Sequence, residues 1–383
     1  MTFPQVATDV ASEAAMGESI RAIQGSSELA VDVEADAMHA FRARLCFVQV
    51  ATDRDLFLFD TLAPGVSAQA LAGPFSDPAC TKYFHAAGGD LQYLAEAGVR
   101  VRGLFDTHRA ATLLGWSKVG LADLARERLQ VELAKEHQQS DFAVRPLPPE
   151  VRAYIADDVR YLCEIGRQVK AECRAQDILE EVELDCARLC AEAEARPDLG
   201  EFRPRLPRGS MSAAQYTLGM AIGTALHEKR LQWAEAANVP MGRMLSNAAV
   251  AAIAQRAPAN LKELSRLEGV RGAFTREHGE EVLDLVRRLV EQSRDGTLQV
   301  PEEKKGRRDP NRKKREDALK AFRSDKAAER KVTPSVVLPN ALVEDLCRLG
   351  AASPEEIGAL PYFGEKRKRL YAAELSELLA RYA

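Results

Sequence analysis

Glu28–Asp36, with the sequence ELAVDVEAD, bears on both the fold and the chemistry. Apolar and polar residues alternate through it, the period of a β-strand with one face turned to a core. Asp32 and Glu34 stand two residues apart, so both carboxylates leave the same face of the strand. Their neighbours are apolar. Two carboxylates side by side in such a strand repel each other and resist desolvation, and a bound cation removes both penalties.

Reading outward, Arg44–Thr52 (RLCFVQVAT) and Asp55–Leu62 (DLFLFDTL) follow at short spacing, which predicts an antiparallel meander. Lys82–Ala87 (KYFHAA) is a short apolar run ending at Gly88-Gly89. Helical periodicity takes over from Asp90 and stops at Gly98. Gly103–Asp106 reads as a further strand leading into a helix through Leu114. Glu150–Ala171 reads as one helix, entered after Pro146, Pro148 and Pro149. Strands and helices in this order predict a mixed sheet flanked by helices over residues 1–200.

Residues 196–212 have three Pro, two Gly and no periodicity, the marks of a linker. From Ala213 the strand signals vanish. A second break at 295–317 is punctuated by Pro and Gly and densely charged. An internal repeat spans that break without a gap, at an offset of 93 residues. Leu245-Ser246-Asn247-Ala248 lies against Leu338-Pro339-Asn340-Ala341, Val250 against Val343, Ile253 against Leu346 and Leu285 against Leu378. Such a register predicts a duplication, with two small all-α domains at 212–292 and 315–383 joined by a basic linker at 293–314.

More acids join the first pair. Asp90 stands where a strand end gives way to a helix, a place where α/β sheets display functional groups. Asp158 lies in the helix after Glu150, and Tyr154, four residues earlier, shares its face. Four acids from three segments, with no set of thiolates or imidazoles, point to hard cations such as Mg²⁺ or Mn²⁺.

Asp32-x-Glu34, then Phe84-His85-(x4)-Asp90, then Tyr154-x3-Asp158 resemble the three motifs of the DEDD exonuclease superfamily in its tyrosine branch. The connecting text Leu104-Phe105-Asp106-Thr107 and Lys135-(x4)-Ser140-Asp141-Phe142-(x2)-Arg145-Pro146-Leu147 resembles ribonuclease D, collinearly over about 28–175. Segments 212–291 and 315–382 resemble the HRDC domain, a helical nucleic-acid-binding module. The resemblance implies an α/β ribonuclease H-like exonuclease domain followed by two small all-α HRDC domains. It implies a metal-dependent 3′-5′ exoribonuclease acting on structured RNA such as tRNA precursors with free 3′ ends. Two divalent cations, Mg²⁺ or Mn²⁺, would be its cofactors. Asp32 would bridge both, Glu34 and Asp158 would complete the ion that activates water, and Asp90 would hold the second beside the leaving 3′ oxygen. Tyr154 would orient the attacking water. Where the family often has Trp after the Ser-Asp pair this chain has Phe142, which keeps the apolar anchor and loses the indole donor.

Other positions carry weaker expectations. Met38 and His39 follow the first motif and are candidates to contact the terminal nucleotide; Lys135 and Arg145 are candidates for phosphates, with surface salt bridges as the alternative. His85 is expected to be a packed, hydrogen-bonded histidine rather than a metal ligand, Asp106 a capping residue, and Asp157 to point away from Asp158.

The whole chain of 383 residues carries a net charge of −4, which divides unevenly. Residues 1–210 hold 23 basic and 33 acidic side chains; residues 211–383 hold 30 and 24. The basic surplus includes the run Lys304, Lys305, Arg307, Arg308, Arg312, Lys313, Lys314 and Arg315, expected to meet phosphates with a solvated linker as the alternative, and a second cluster, Lys366–Arg369, that begins a helix of the last domain. Seven cysteines, an odd count without CxxC or zinc spacing, point to a reducing, cytoplasmic setting. No stretch approaches the length of a membrane span and no secretory signal is visible, so no membrane is expected. No obligate protein partner is inferred. The competing readings are a DNA 3′-5′ exonuclease, since the chemistry is indifferent to the sugar, and a catalytically inactive nucleic-acid-binding scaffold.

Overall fold

Strands β1 (Ala7–Val10), β2 (Glu28–Ala35), β3 (Leu45–Ala51), β4 (Leu56–Asp60), β5 (Thr81–Phe84) and β6 (Leu104–Asp106) form one mixed sheet in this computed structural model. Their order is β1-β4-β3-β2-β5-β6. The structure describes residues 3–134, 136–195, 202–298 and 309–382. β2, β3 and β4 make the expected antiparallel meander, while β1, β5 and β6 pair in parallel. Val, Leu, Phe and Cys fill β3 and β4, which are buried almost throughout, as central strands require. β1 was not anticipated. It is four residues long and only Ala7 and Val10 are buried, too short for an alternation to register.

Helices cover the sheet. Pro149–Arg160 packs on β2, β3 and β4, and Leu162–Ala175 on β2 and β5. Leu179–Glu194 packs on β6 and on the helix Gly88–Glu96. The span 150–171, expected as one helix, is broken at Tyr161 (φ −108°, ψ −5°). Tyr154 and Asp158 both fall in the first piece. Gly166 shows how tightly the second piece seats: a Cβ there would lie 2.2 Å from the ring of Tyr83. All seven cysteines are free and buried. Among the described residues, no helix is long and apolar enough to cross a membrane.

The chain forms two compact units. One joins the sheet domain (Met1–Ala35 and Leu45–Arg196) to Arg307–Ala383; the other joins Asp36–Arg44 to Pro197–Gly306. Each contains one helical repeat, with principal helices Ala213–Ala236, Asn247–Arg256 and Gly272–Asp295 in the first and Arg312–Arg330, Asn340–Leu349 and Glu365–Ala380 in the second. The repeat is physical. Leu226, Leu245, Ile253, Leu264, Val282 and Val286 are buried in the first copy, and 93 residues later Leu319, Leu338, Leu346, Ile357, Leu375 and Leu379 are buried in the second. Arg230 donates to the Leu245 carbonyl at 2.9 Å and to Asn247 Oδ1 at 2.6 Å. Arg323 donates to the Leu338 carbonyl at 3.2 Å and to Asn340 Oδ1 at 2.8 Å. Left-handed residues recur at the same offset, Asn238 with Lys331 and Gly269 with Tyr362.

The second repeat is bolted to the sheet domain. Lys366 Nζ lies 3.3 Å from Glu181 and 2.9 Å from Asp177, and also donates to the Asp177 carbonyl. Arg330 reaches the same Glu181 at 3.2 Å. Arg367 is spent on the carbonyls of Val336, Val337, Tyr362 and Phe363. Thr333 Oγ1 donates to the Leu113 carbonyl at 3.0 Å. Of the basic cluster Lys366–Arg369, Lys366 and Arg367 are therefore buried, and only Lys368 and Arg369 face solvent. Arg315, from the earlier basic run, is likewise buried, bonded to Asp309 and to the carbonyls of Tyr382 and Cys347. Arg312 and Lys313 pair with Glu344 and Asp317. Lys304, Lys305, Arg307 and Arg308 lie outside the described residues.

Candidate active site

The pleat of β2 sends Asp32 and Glu34 to one side, where Pro149–Arg160 crosses the strand carrying Tyr154 and Asp158. Asp32, Glu34 and Asp158 can each place a carboxylate oxygen within 4.8 Å of the others. Tyr154 is hydrogen-bonded to Asp158. These four residues line a cavity of about 500 Å³, with His85 and Gln138 also in its wall. Asp90 sits in the first turn of Gly88–Glu96, outside the three-carboxylate group yet near enough for the charges of Asp32 and Asp158 to act on it.

Burial is the main influence on all four acids, and it raises every one above the ordinary carboxylate range. Repulsion between them adds to this at Glu34, which feels Asp32, Asp158 and Asp90, and at Asp90 and Asp158. The Tyr154 hydroxyl is raised as well, first by burial and then by Asp158. Among the described residues, no lysine or arginine figures among the influences on these acids. A further polar group is stranded beside them. Gln49 faces Asp32 across the β2–β3 register, is fully buried, and has no hydrogen-bond partner for either amide atom. Half-buried carboxylate oxygens without a counter-charge are a donor set suited to hard divalent cations, so the residues fit such an ion.

The remaining candidates divide. His85 is hydrogen-bonded to Thr107 Oγ1 at 2.9 Å, and burial pushes its imidazole down to about 4. Thr107 Oγ1 also bonds the Phe84 carbonyl at 3.0 Å. Asp106 caps the helix Thr107–Leu113, accepting from His108 and Arg109. Asp157 pairs with Arg160. Phe142 is a buried anchor. Arg145 is engaged as a strut: it holds both oxygens of Asp60 at 2.6 and 2.7 Å, bonds the carbonyls of Phe142 and Val144, and lies over the Phe47 ring. That is the salt-bridge alternative, and it occupies the guanidinium expected at a phosphate. Met38 and His39 are exposed in the loop Asp36–Arg44, which belongs to the second unit. Lys135 lies outside the described residues.

The sequence reading missed Gln138 and the Gly120–Ala122 corner of the cavity, which carry no chemical signature of their own. Gln49 had one: a lone amide inside the apolar run LCFVQVA.

A ribonuclease H-like sheet with half-buried acids from three segments defines a nuclease, and the relatives agree. Residues 8–173 match the family described as 3′-5′ exonuclease, and residues 220–286 and 312–379 each match the HRDC domain. Ribonuclease D of Gluconacetobacter diazotrophicus is 32% identical over 331 residues, covering 85% of this chain and 81% of that one. Exosome complex component 10 of Mus musculus is 36% identical over 149 residues, 39% of this chain and 17% of the relative. The crystal structure of Escherichia coli RNase D shares the fold with a TM-score of 0.69 at 22% identity, covering 99% of this chain and 100% of that one. The chain belongs to the ribonuclease D family. It is a 3′-5′ exoribonuclease, of a family that depends on divalent metal ions.

Proposed function

We propose that this exoribonuclease removes 3′-terminal nucleotides from structured RNA in the cytoplasm, tRNA precursors in particular, and releases nucleoside 5′-monophosphates. Asp32, Glu34, Asp90 and Asp158 are its metal ligands for two divalent cations, Mg²⁺ or Mn²⁺, and Tyr154 is its positioning hydroxyl. The convergence of Asp32, Glu34 and Asp158 within 4.8 Å carries the reading. The domain limits that go with it are 1–200 for the nuclease, 212–292 and 315–383 for the HRDC domains, with 293–314 between. No obligate protein partner is part of it.

Divalent cations, when bound, supply a nucleophile at neutral pH and neutralise charge on the phosphate and the leaving oxygen. The protein supplies the placement. Asp32, Glu34 and Asp158 would together hold the ion that activates water, with Asp32 common to both ions. Asp90, from a different segment, serves the side of the leaving 3′ oxygen. Burial and the neighbouring Asp158 both raise the Tyr154 hydroxyl. It therefore orients the attacking water by hydrogen bonding and does not act as the base. The RNA described for the Escherichia coli relative, an exoribonuclease involved in structured RNA processing, supports the same substrate class here.

A time course on a tRNA precursor labelled at its 3′ or its 5′ end, with Mg²⁺, Mn²⁺ or chelator, tests the proposal. The expected result is immediate release of labelled mononucleotide from the 3′ label, stepwise shortening of the 5′-labelled chain, and no product in chelator. Equal or faster digestion of single-stranded DNA in competition would overturn the RNA assignment, and metal-independent release would overturn the ligand set. Tight RNA binding without digestion in Mn²⁺ would leave only the scaffold reading.

A further inference from the structure

We propose that Asp106 is a positioning residue for Asp90, acting through the turn that joins β5 to the helix Gly88–Glu96. The inference rests on the reading of Asp90 as a metal ligand.

Asp106 ends β6 and is 1% exposed. Its carboxylate accepts four backbone hydrogen bonds. Two come from the helix it caps, His108 at 2.9 Å and Arg109 at 3.1 Å. The other two come from a different segment: Ala86 donates to Oδ1 at 3.0 Å and Ala87 to Oδ2 at 2.9 Å. Capping alone needs one oxygen, and a serine or threonine would serve. Reaching the second segment as well takes both oxygens of a carboxylate.

That second segment leads directly to Asp90. Ala86 has φ 63°, a left-handed conformation that alanine adopts only when its surroundings impose it. Ala87 precedes the helix and offers no side-chain cap. Leu91 N bonds the Ala87 carbonyl at 3.0 Å, so Asp90 rides on the first turn that Ala87 starts. The direction of that turn is therefore set from outside the helix, by Asp106. Thr107 adds a second tie through its bonds to Phe84 and His85. Carboxylates that grip a metal are themselves held by outer partners, whose loss weakens metal affinity. Here the outer partner works through backbone amides rather than through the Asp90 side chain.

The test is Mn²⁺ binding to the metal-free full-length chain, by calorimetry, in wild type, D106N, D106S, D90N and the D90N/D106N pair. Asn keeps the volume and one acceptor. Ser keeps a helix cap and cannot reach Ala86 and Ala87, so it decides the matter should D106N fail to fold. The expected result is a loss of affinity of about tenfold or more in D106N and D106S, in the range for outer-shell partners. Adding D106N to D90N should cost nothing further. Hydrogen exchange in residues 84–92 should quicken in D106S while the rest of the sheet is unchanged. Wild-type affinity in both Asp106 variants beside a weakened D90N overturns this inference and leaves the Asp90 assignment standing. Additive losses in the double variant also overturn it, because Asp106 would then act independently of Asp90. Wild-type affinity in D90N removes the ligand assignment, and this inference with it.

Discussion

Lys366, on the first turn of the last helix, meets Glu181 of the sheet domain at 3.3 Å, and both side chains are almost wholly withdrawn from water. Arg330 shares the same carboxylate, which makes one buried acid serve two cations across the seam between the nuclease and its second HRDC domain. Removing Lys366 leaves that carboxylate to Arg330 alone, so the cost should be only part of the roughly 3–5 kcal/mol that stranding a buried charge takes. Lys366→Met should therefore lower the urea midpoint, and Glu181→Leu, which takes the shared acid from both Lys366 and Arg330, should lower it further. An unchanged midpoint in the single variant would mean that the seam contributes little to stability.

Asp32→Asn should abolish turnover, with a loss of at least about a thousandfold, while the fold persists. Tyr154→Phe should slow turnover by roughly ten- to a hundredfold, at the low end of what a proton-positioning group contributes, with Mn²⁺ affinity kept. Single-turnover rates and calorimetry on the same preparations check both. Loss of Mn²⁺ affinity in Tyr154→Phe would place the phenol among the groups that hold the metal.

The pH dependence of the metal-free protein follows from the acids. Burial raises Asp32 to about 7, Asp158 to about 8 and Glu34 to about 10, whereas the unfolded values are near 4. The folded state thus binds more protons, so stability is greatest below about pH 4 for these groups and is lost as pH rises through the folded values. In chelator the melting temperature should fall between pH 6 and 8. Mn²⁺ should restore more at pH 8, since binding requires deprotonated carboxylates. A chelator curve that rises over this interval would contradict the burial of the site.

Gln49 offers a test in the opposite direction. Both amide atoms are buried without partners, and each such group costs about 1–3 kcal/mol. Gln49→Leu should stabilise the chelated protein by about 1 kcal/mol or more in urea titrations. A loss instead would show that the amide is satisfied by water in solution.

Much of this was legible in the sequence, for identifiable reasons. β2 declared itself by alternation and β3 and β4 by short apolar runs at close spacing, while Asp32, Glu34, Tyr154 and Asp158 did so because period 2 and period 3.6 fix which side chains share a face. What stayed hidden depended on tertiary context. Tyr161 breaks a helix with no Pro or Gly to mark the place. Lys366 and Arg367 look like surface charges until Glu181 and a ring of carbonyls close over them. Arg145 looks like a phosphate ligand until Asp60 takes both ends of its fork. A linear pattern reports the period of an element and says nothing about what later folds against it.

The paired clamps of Arg230 and Arg323 have an evolutionary consequence. Each is closed within a single copy, between one helix and the turn and helix that follow, so neither depends on what lies outside. A unit carrying its own fastener can be copied whole, and its outer surface is then free to drift. The two copies have drifted apart: where one keeps Ala273 and Gly269, the other has Lys366 and a left-handed Tyr362. The second copy has become masonry for the sheet domain it is bolted to.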